Sequence, residues 1–115
     1  MNTKDIGNKG ENLTVEYLLS NDYEIIVRNY RYKRCEIDII CKKGDILVFV
    51  EVKIRNSNKY GYPENFVSIS QQERIKTAAE NFIIDNNWNK NIRFDISSIV
   101  KHQKSYKITY FKDAF

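Results

Sequence analysis

The 115-residue chain is organised around Ile46-Leu47-Val48-Phe49-Val50-Glu51-Val52-Lys53. Its first five residues form the longest apolar run in the sequence, and because both faces are apolar we predict a central strand covered on each side by helices. Glu51 and Lys53 then place a carboxylate and an ammonium on one face, about 7 Å apart along the backbone. Taken alone, this pair has an ordinary interpretation, an ion pair at the solvated end of a strand.

The flanking patterns predict an α+β (α/β) domain over residues 1–115, with the order α-β-β-β-α-β-β and a central mixed sheet. A first helix is expected over residues 4–20. A second is expected over residues 70–86, with Ser70 as its N-cap and Glu73 in capping-box position. Residues 43–45 predict a hairpin turn, and residues 56–63 a polar loop. The predicted strands span residues 23–32, 36–41, 46–54, 92–100 and 106–111.

Composition narrows the cellular setting. The net charge is +4, with 19 basic and 15 acidic residues, which is compatible with nucleic acid without being diagnostic of it. Cys35 and Cys41 lie roughly 20 Å apart if they share a strand, too far for a disulfide. Free thiols, a polar start and no apolar run near the ~20 residues of a membrane span predict a cytoplasmic protein without a membrane partner. Strand 106–111 is a candidate homodimer interface.

A second acidic strand lies just upstream of the central one. In residues 36–40, Asp38 shares a predicted face with Glu36, while Ile37 and Ile39 share the other. If this strand pairs with the next across the 43–45 turn, the carboxylates of Asp38 and Glu51 converge. Two carboxylates this close repel each other unless a cation lies between them, and Mg²⁺ or Mn²⁺ is the natural candidate. Glu36 alone is equally well interpreted as a solvated hairpin residue.

The first predicted helix adds a third acid. Glu11 falls on the same helical stripe as Val15 and Leu18, so its carboxylate is expected to face inward. Gly7 and Gly10 precede it and would allow a close approach of the backbone. The alternative is that Glu11 only complements the helix dipole.

Residues 28–34 alternate basic and aromatic side chains. Such a segment is suited to gripping phosphates and stacking on bases, although an exposed hairpin with strand-favouring tyrosines is an equally good interpretation. Its candidate nucleic-acid-binding residues are Arg28, Arg31, Lys33 and Arg34.

Several motifs occur together in order, and the set resembles the YraN-like family of small bacterial proteins. They are Gly7-x-x-Gly10-Glu11, Glu36-Ile37-Asp38, Phe49-Val50-Glu51-Val52-Lys53 and Arg93-Phe94-Asp95. That family looks related to Holliday-junction resolvases and to the restriction-endonuclease-like PD-(D/E)xK superfamily, whose αβββαβ core has the element order predicted here.

The resemblance implies a role for each matching residue. Asp38 and Glu51 correspond to the metal-binding carboxylates, Lys53 to the lysine of the (D/E)xK motif, and Glu11 to the helix-borne acid of the resolvase-like members. Gln71 stands where the family usually has a lysine, so a contact with phosphate or substrate there would rest on the glutamine amide. Cys35 stands where the family usually has glycine.

These observations predict a nuclease that uses Mg²⁺ or Mn²⁺, bound by Asp38, Glu51 and Glu11, to hydrolyse phosphodiester bonds in DNA. Contacts to the DNA backbone carry little sequence information, so recognition of branched or junction DNA is expected. The alternative is a nucleic-acid-binding module of the same fold without turnover. A third alternative is an interaction domain whose charges form an ion-pair network.

Overall fold

A computed structural model describes residues 3–55 and 67–115. It confirms the predicted α+β class, with a five-stranded mixed sheet flanked by two helices and an element order compatible with an αβββαβ core. The elements are α1 Thr3–Ser20, β1 Glu24–Tyr32, β2 Cys35–Lys43, β3 Ile46–Arg55, α2 Ile69–Asp85, β4 Asn91–His102 and β5 Ser105–Phe111. The loop predicted over residues 56–63 lies outside the described residues.

The sheet has the strand order β1-β2-β3-β4-β5, so β3 lies at its centre, as its apolar run predicts. All neighbouring strands are antiparallel except β3 and β4, which α2 connects and which run parallel from Ile46↔Asn91 to Arg55↔Val100. The predicted fifth strand is confirmed as an edge strand. Because α2 carries the chain back between two parallel strands, its N-terminal end lies near the end of β3 that bears the charges.

Two apolar cores form on the two faces of β3. Leu47 and Phe49 pack beneath α2, whereas Val48 and Val50 pack beneath α1, and all four side chains are at most 1% exposed. Alternation along a strand sends successive side chains to opposite faces. A strand that is apolar at every position therefore requires a helix on each side.

Helix α2 begins one residue earlier than predicted, and its N-cap lies two residues earlier. Its N-cap is Ser68, whose side chain accepts a hydrogen bond from the Gln71 backbone N–H at 3.1 Å, so the assignment of Ser70 as N-cap is wrong. Ser70 lies inside the helix, where its hydroxyl accepts a hydrogen bond from Arg74. Val67 is buried in the core beneath α2, which fixes the point where the helix starts.

Helix α1 approaches the sheet closely at Gly10. A Cβ at this position would lie 2.7 Å from Ile54 Cγ1 and closer still to Ile54 Cδ1, on the end of β3 that carries Lys53. Glycine therefore sets the distance between α1 and the charged end of β3. No described helix is long and apolar enough to cross a membrane.

The Asp95 carboxylate accepts several hydrogen bonds and links β4 to β5. Asp95 is fully buried and accepts hydrogen bonds from both Nε and Nη2 of Arg93, from the Tyr110 hydroxyl at 2.6 Å and from the Asp113 backbone N–H at 2.9 Å. Arg93 also donates to the hydroxyl of Tyr23. The Arg93-Phe94-Asp95 motif thus has a structural explanation, since a buried carboxylate needs such partners.

We expect Asp95→Ala to lower the free energy of unfolding by about 3–5 kcal/mol, because it leaves the Arg93 guanidinium without its partner. Tyr110→Phe removes a single donor and should cost about 1–2 kcal/mol. Urea denaturation measures both. Asp85→Ala, at an exposed carboxylate that ends α2, is the control, and a loss for Asp95→Ala no larger than for this control would contradict the assignment.

Candidate functional site

Strands β2 and β3 separate at Asp38. Their backbone pairing runs from Lys43↔Ile46 to Ile39↔Val50 and goes no further. Beyond that point the Val52 N–H donates to Asp38 Oδ2 at 2.8 Å, so a side chain takes the place of the next backbone acceptor. β3 meanwhile stays paired with β4 to its end. The result is a fork between β2 and β3, with Asp38 at its apex.

The fork coincides with a twist in β2. Ile37 packs in the core beneath α2, but Ile39 packs in the core beneath α1. The prediction that these two residues share a face is therefore wrong. Opposite Asp38 the register places Asn29, whose φ of 55° lies in the left-handed region although β1 continues through it. The change of face in β2 thus falls beside a residue of β1 that lacks the usual strand conformation.

The structure brings Glu51 and Asp38 together at this fork. Glu51 is only 8% exposed, and burial, the negative charge of Asp38 and a hydrogen bond with the Asp38 carboxylate together raise the pKa of its carboxyl group to about 9. The charge of Lys53 opposes this shift, and the charge of Glu36 adds to it. A buried acid with this surrounding holds a proton at neutral pH unless a cation replaces that proton.

Glu11 approaches the same carboxylate from α1. Burial and the charge of Asp38 raise the pKa of Glu11, and the side chains of Arg28 and Asn29 lower it. Arg28 Nη2 lies 3.4 Å from Glu11 Oε1 and 2.8 Å from Asn12 Oδ1. Glu11 therefore faces inward, as its helical stripe predicts, and is held there by a cation from β1.

Lys53 points towards the start of α2. Its Nζ donates to Gln71 Oε1 at 3.2 Å, and both side chains are half-buried. The ion pairs that join described residues are Arg28–Glu11, Arg31–Glu36 and Arg93–Asp95, so Lys53 and Glu51 share a strand face without pairing directly. The ordinary interpretation of Glu51 and Lys53 as an ion pair is therefore not what the structure shows.

The arrangement suits a hard divalent cation. Within residues 3–55 and 67–115, no three His, Cys, Asp or Glu side chains are already gathered closely enough to hold a metal ion. Mg²⁺ commonly uses only one or two carboxylates and completes its shell with water and phosphate oxygens. Asp38 and Glu51 supply two such carboxylates, and a cation between them would offset the repulsion that helps to raise the pKa of Glu51.

The basic segment forms the β1–β2 hairpin, and its tip lies at the same end of the sheet as the fork. Arg31 and Arg34 are exposed there with Lys33, and Arg31 contacts Glu36 at 2.8 Å. Arg28 instead faces α1. Tyr30, from the same segment, packs edge-on against Phe82 of α2 rather than standing free.

Asn29 is the residue of the site that sequence reasoning missed. It has a left-handed backbone within β1, opposite Asp38, and its side chain interacts with Glu11. A signal was present, because asparagine adopts positive φ more readily than other residues with side chains and is depleted in strands. An asparagine within a strand pattern indicates an irregularity worth locating.

These features define a small α+β domain with a buried and a partly buried carboxyl group at a fork in its sheet and a lysine beside them. Residues 10–99 match the family described as Uncharacterised protein family UPF0102, a span that includes Glu11, Asp38, Glu51, Lys53 and Gln71. The chain belongs to this family, which confirms the YraN-like resemblance.

Similar proteins from other bacteria extend over the same length. A UPF0102 protein of Dictyoglomus turgidum is 45% identical over 118 residues, covering 100% of both chains. One from Christiangramia forsetii is 40% identical over 111 residues, covering 96% of this chain and 93% of its own. One from Clostridioides difficile is 43% identical over 116 residues, covering 100% of both.

The pKa of Glu51 predicts an unusual pH dependence of stability in the presence of a chelator. The folded protein retains a proton that the unfolded chain releases above the ordinary value of 4.5. The free energy of unfolding should therefore fall as pH rises from 4.5 towards about 9, by up to about 1.4 kcal/mol per pH unit.

Glu51→Gln should remove this decline, because its side chain carries no proton to lose, and the variant should exceed the wild type in stability at high pH. Urea denaturation at several pH values measures the effect. Glu36→Gln, on the neighbouring strand and partly exposed, is the matched control; the charge of Glu36 is the smallest of the causes of the shift, so this variant should keep most of the wild-type decline. Parallel profiles for wild type and Glu51→Gln would contradict the assignment.

Proposed function

We propose that this protein is a nuclease that hydrolyses phosphodiester bonds in DNA with the help of a divalent cation, and that it prefers branched or junction DNA. The observation that carries the proposal is the buried Glu51 carboxyl group beside Asp38, with the Lys53 ammonium on the same strand face. Two acids kept close in a site of reduced solvation cost stability, and such a cost is typical of positions retained for chemistry.

Asp38 and Glu51 are the residues that would hold Mg²⁺ or Mn²⁺. Their donor atoms are all carboxylate oxygens, which hard cations prefer. Such a cation, when bound, polarises a phosphate and lowers the pKa of a bound water. Asp38 is already oriented by the Val52 N–H, so its other oxygen has a fixed direction. A cation held by Asp38 and Glu51 would take the place of the proton that burial and Asp38 favour on Glu51.

Lys53 supplies a positive charge on the other side of the acid pair. It lies two residues beyond Glu51 on a strand that is held by β4, which restricts its backbone. In a nuclease its ammonium would donate to a phosphate oxygen and stabilise the charge that develops during hydrolysis. Glu11 faces Asp38 from α1 and would orient a water molecule or contribute an oxygen ligand.

The hairpin tip supplies a surface for the DNA backbone. Arg31, Lys33 and Arg34 are exposed at the end of the sheet where β2 and β3 separate. Contacts from such side chains to phosphates position a nucleic acid without reading its bases. A preference for a particular DNA shape is therefore favoured over a preference for a sequence.

Cleavage of a labelled four-way junction in Mn²⁺ tests the proposal. We expect turnover by the wild type and a decrease of roughly 100-fold or more for Asp38→Asn, Glu51→Gln and Lys53→Met, since each removes a charge that acts on the transition state. Calorimetric titration with Mn²⁺ alone should give a binding signal that Asp38→Asn abolishes.

Glu36→Gln is the control for both measurements, because its carboxylate is near the site but engaged by Arg31. DNA binding without any cleavage would contradict the proposal and favour a binding module. A wild type that binds neither Mn²⁺ nor DNA would leave only the interaction domain.

The hairpin makes a separate prediction about salt. Arg31→Ala, Lys33→Ala and Arg34→Ala should each weaken binding to every DNA tested and reduce the slope of log affinity against log salt by about 1 for each phosphate that is no longer neutralised. Fluorescence anisotropy at several salt concentrations measures the slope. Lys43→Ala, at the opposite end of the sheet beside Tyr23, is the control, and an equal effect there would exclude the hairpin as the specific surface.

A further inference from the structure

The first turn of α2 is held rigidly and lies beside the candidate site. Val67 is 1% exposed in the core, Ser68 caps the helix through the Gln71 N–H, and Gln72 Nε2 donates to the Val67 carbonyl at 3.1 Å. These contacts fix the backbone on both sides of this turn. The side chain of Gln71 therefore extends from a rigid backbone.

From this turn Gln71 reaches Lys53. The amide oxygen accepts from the ammonium at 3.2 Å, which engages the acceptor end of Gln71 within the protein itself. Glu51 lies two residues away on the same face, and an ion pair with its ionised carboxylate would draw the ammonium back along the strand. The amide of Gln71 offers the ammonium a neutral partner on the opposite side.

We infer that Gln71 is a positioning residue that tethers Lys53, keeping its ammonium away from Glu51 and directed into the fork between β2 and β3. This inference rests on the proposed function, because the position of the Lys53 ammonium affects catalysis only if it contacts a phosphate. It differs from a direct contact of Gln71 with nucleic acid, because the substrate would be met by Lys53.

A neutral acceptor suits this task better than a charged one. A glutamate at position 71 would bind the ammonium more strongly and compete with a phosphate for it. A lysine there would repel Lys53 towards the acid pair. The glutamine amide orients the ammonium and leaves its positive charge available to a substrate anion.

The test uses three variants and two independent measurements. Gln71→Met keeps the length of the side chain and removes the acceptor, and Gln71→Glu replaces it with a charged one. Gln72→Met is the matched control, since the same change is made one residue away at an amide that bonds Val67. Nitrogen-15 relaxation of the Lys53 ammonium reports its order without DNA, and steady-state cleavage of junction DNA separates kcat from KM.

We expect the Lys53 ammonium to be ordered in the wild type and in Gln71→Glu, and mobile in Gln71→Met. For Gln71→Met, kcat should fall roughly 10-fold, which is the size of effect expected on losing a hydrogen bond to a charged group, while KM changes by less than about two-fold. Gln71→Glu should also lower kcat despite its ordered ammonium. Gln72→Met should reduce the order of Lys53 far less than Gln71→Met, because the burial of Val67 and the Ser68 cap still hold the turn.

An ammonium equally ordered in wild type and Gln71→Met would overturn the tether. So would a Gln71→Met variant that raises KM and keeps kcat, which would make Gln71 a direct contact of the nucleic acid. If the wild type does not cleave DNA, the proposed function fails, and the relaxation measurement still decides whether Gln71 holds Lys53.

Discussion

The hydrogen bond from the Val52 N–H to Asp38 Oδ2 is the contact on which the candidate site depends. A backbone carbonyl at that position would have continued the ladder between β2 and β3. A carboxylate satisfies the same donor and ends the ladder, because it leaves its own strand free to turn away. β2 and β3 separate where the Asp38 side chain can bridge them. Glu51 and Lys53 lie on β3 directly beyond that point.

The rest of the fold offsets the free-energy cost of burying the acids of the site. Glu51 is buried beside another carboxylate, an arrangement that disfavours its ionised form. Asp95, on the next strand but on the α1 side, is also a carboxylate and more deeply buried, yet it has an arginine, a tyrosine hydroxyl and a backbone N–H around it. The comparison distinguishes the two acids: Asp95 has its hydrogen-bond donors within the protein, whereas Glu51 has a second carboxyl group beside it.

Sequence patterns predicted the larger features because these follow from local rules. The apolar run before Glu51 indicated a central strand between two helices, and the turn at Gly44 indicated the hairpin whose register brings Asp38 opposite Glu51. The twist at Asp38 escaped prediction because strict alternation is the only rule available for a strand. Asn29, which has a left-handed backbone, lies opposite Asp38 on β1, and only the pairing of these two strands brings the residues together.

Other features escaped prediction because several residues satisfied one rule or because the partners lie far apart. Ser68 with Gln71 and Ser70 with Glu73 both fit the spacing of a capping box, and only the burial of Val67 selects the first. Asp95 draws its partners from positions up to 18 residues away, and no local pattern connects them. Gln71 and Lys53 are also 18 residues apart in sequence. One lies at the start of α2 and the other near the end of β3, so no local pattern connects them.

The fork has a consequence for how the protein meets other copies of itself. Where β2 departs, the side of β3 that faced it presents backbone groups of the kind that recruit a strand from another molecule. Asp38 already occupies the Val52 donor there, and the Lys53 ammonium lies on the same short stretch. A charged side chain at the edge of a strand discourages such addition. Among the described residues, Asp38 and Lys53 therefore disfavour the addition of a strand beside Val52, and we expect a variant without both to associate more readily.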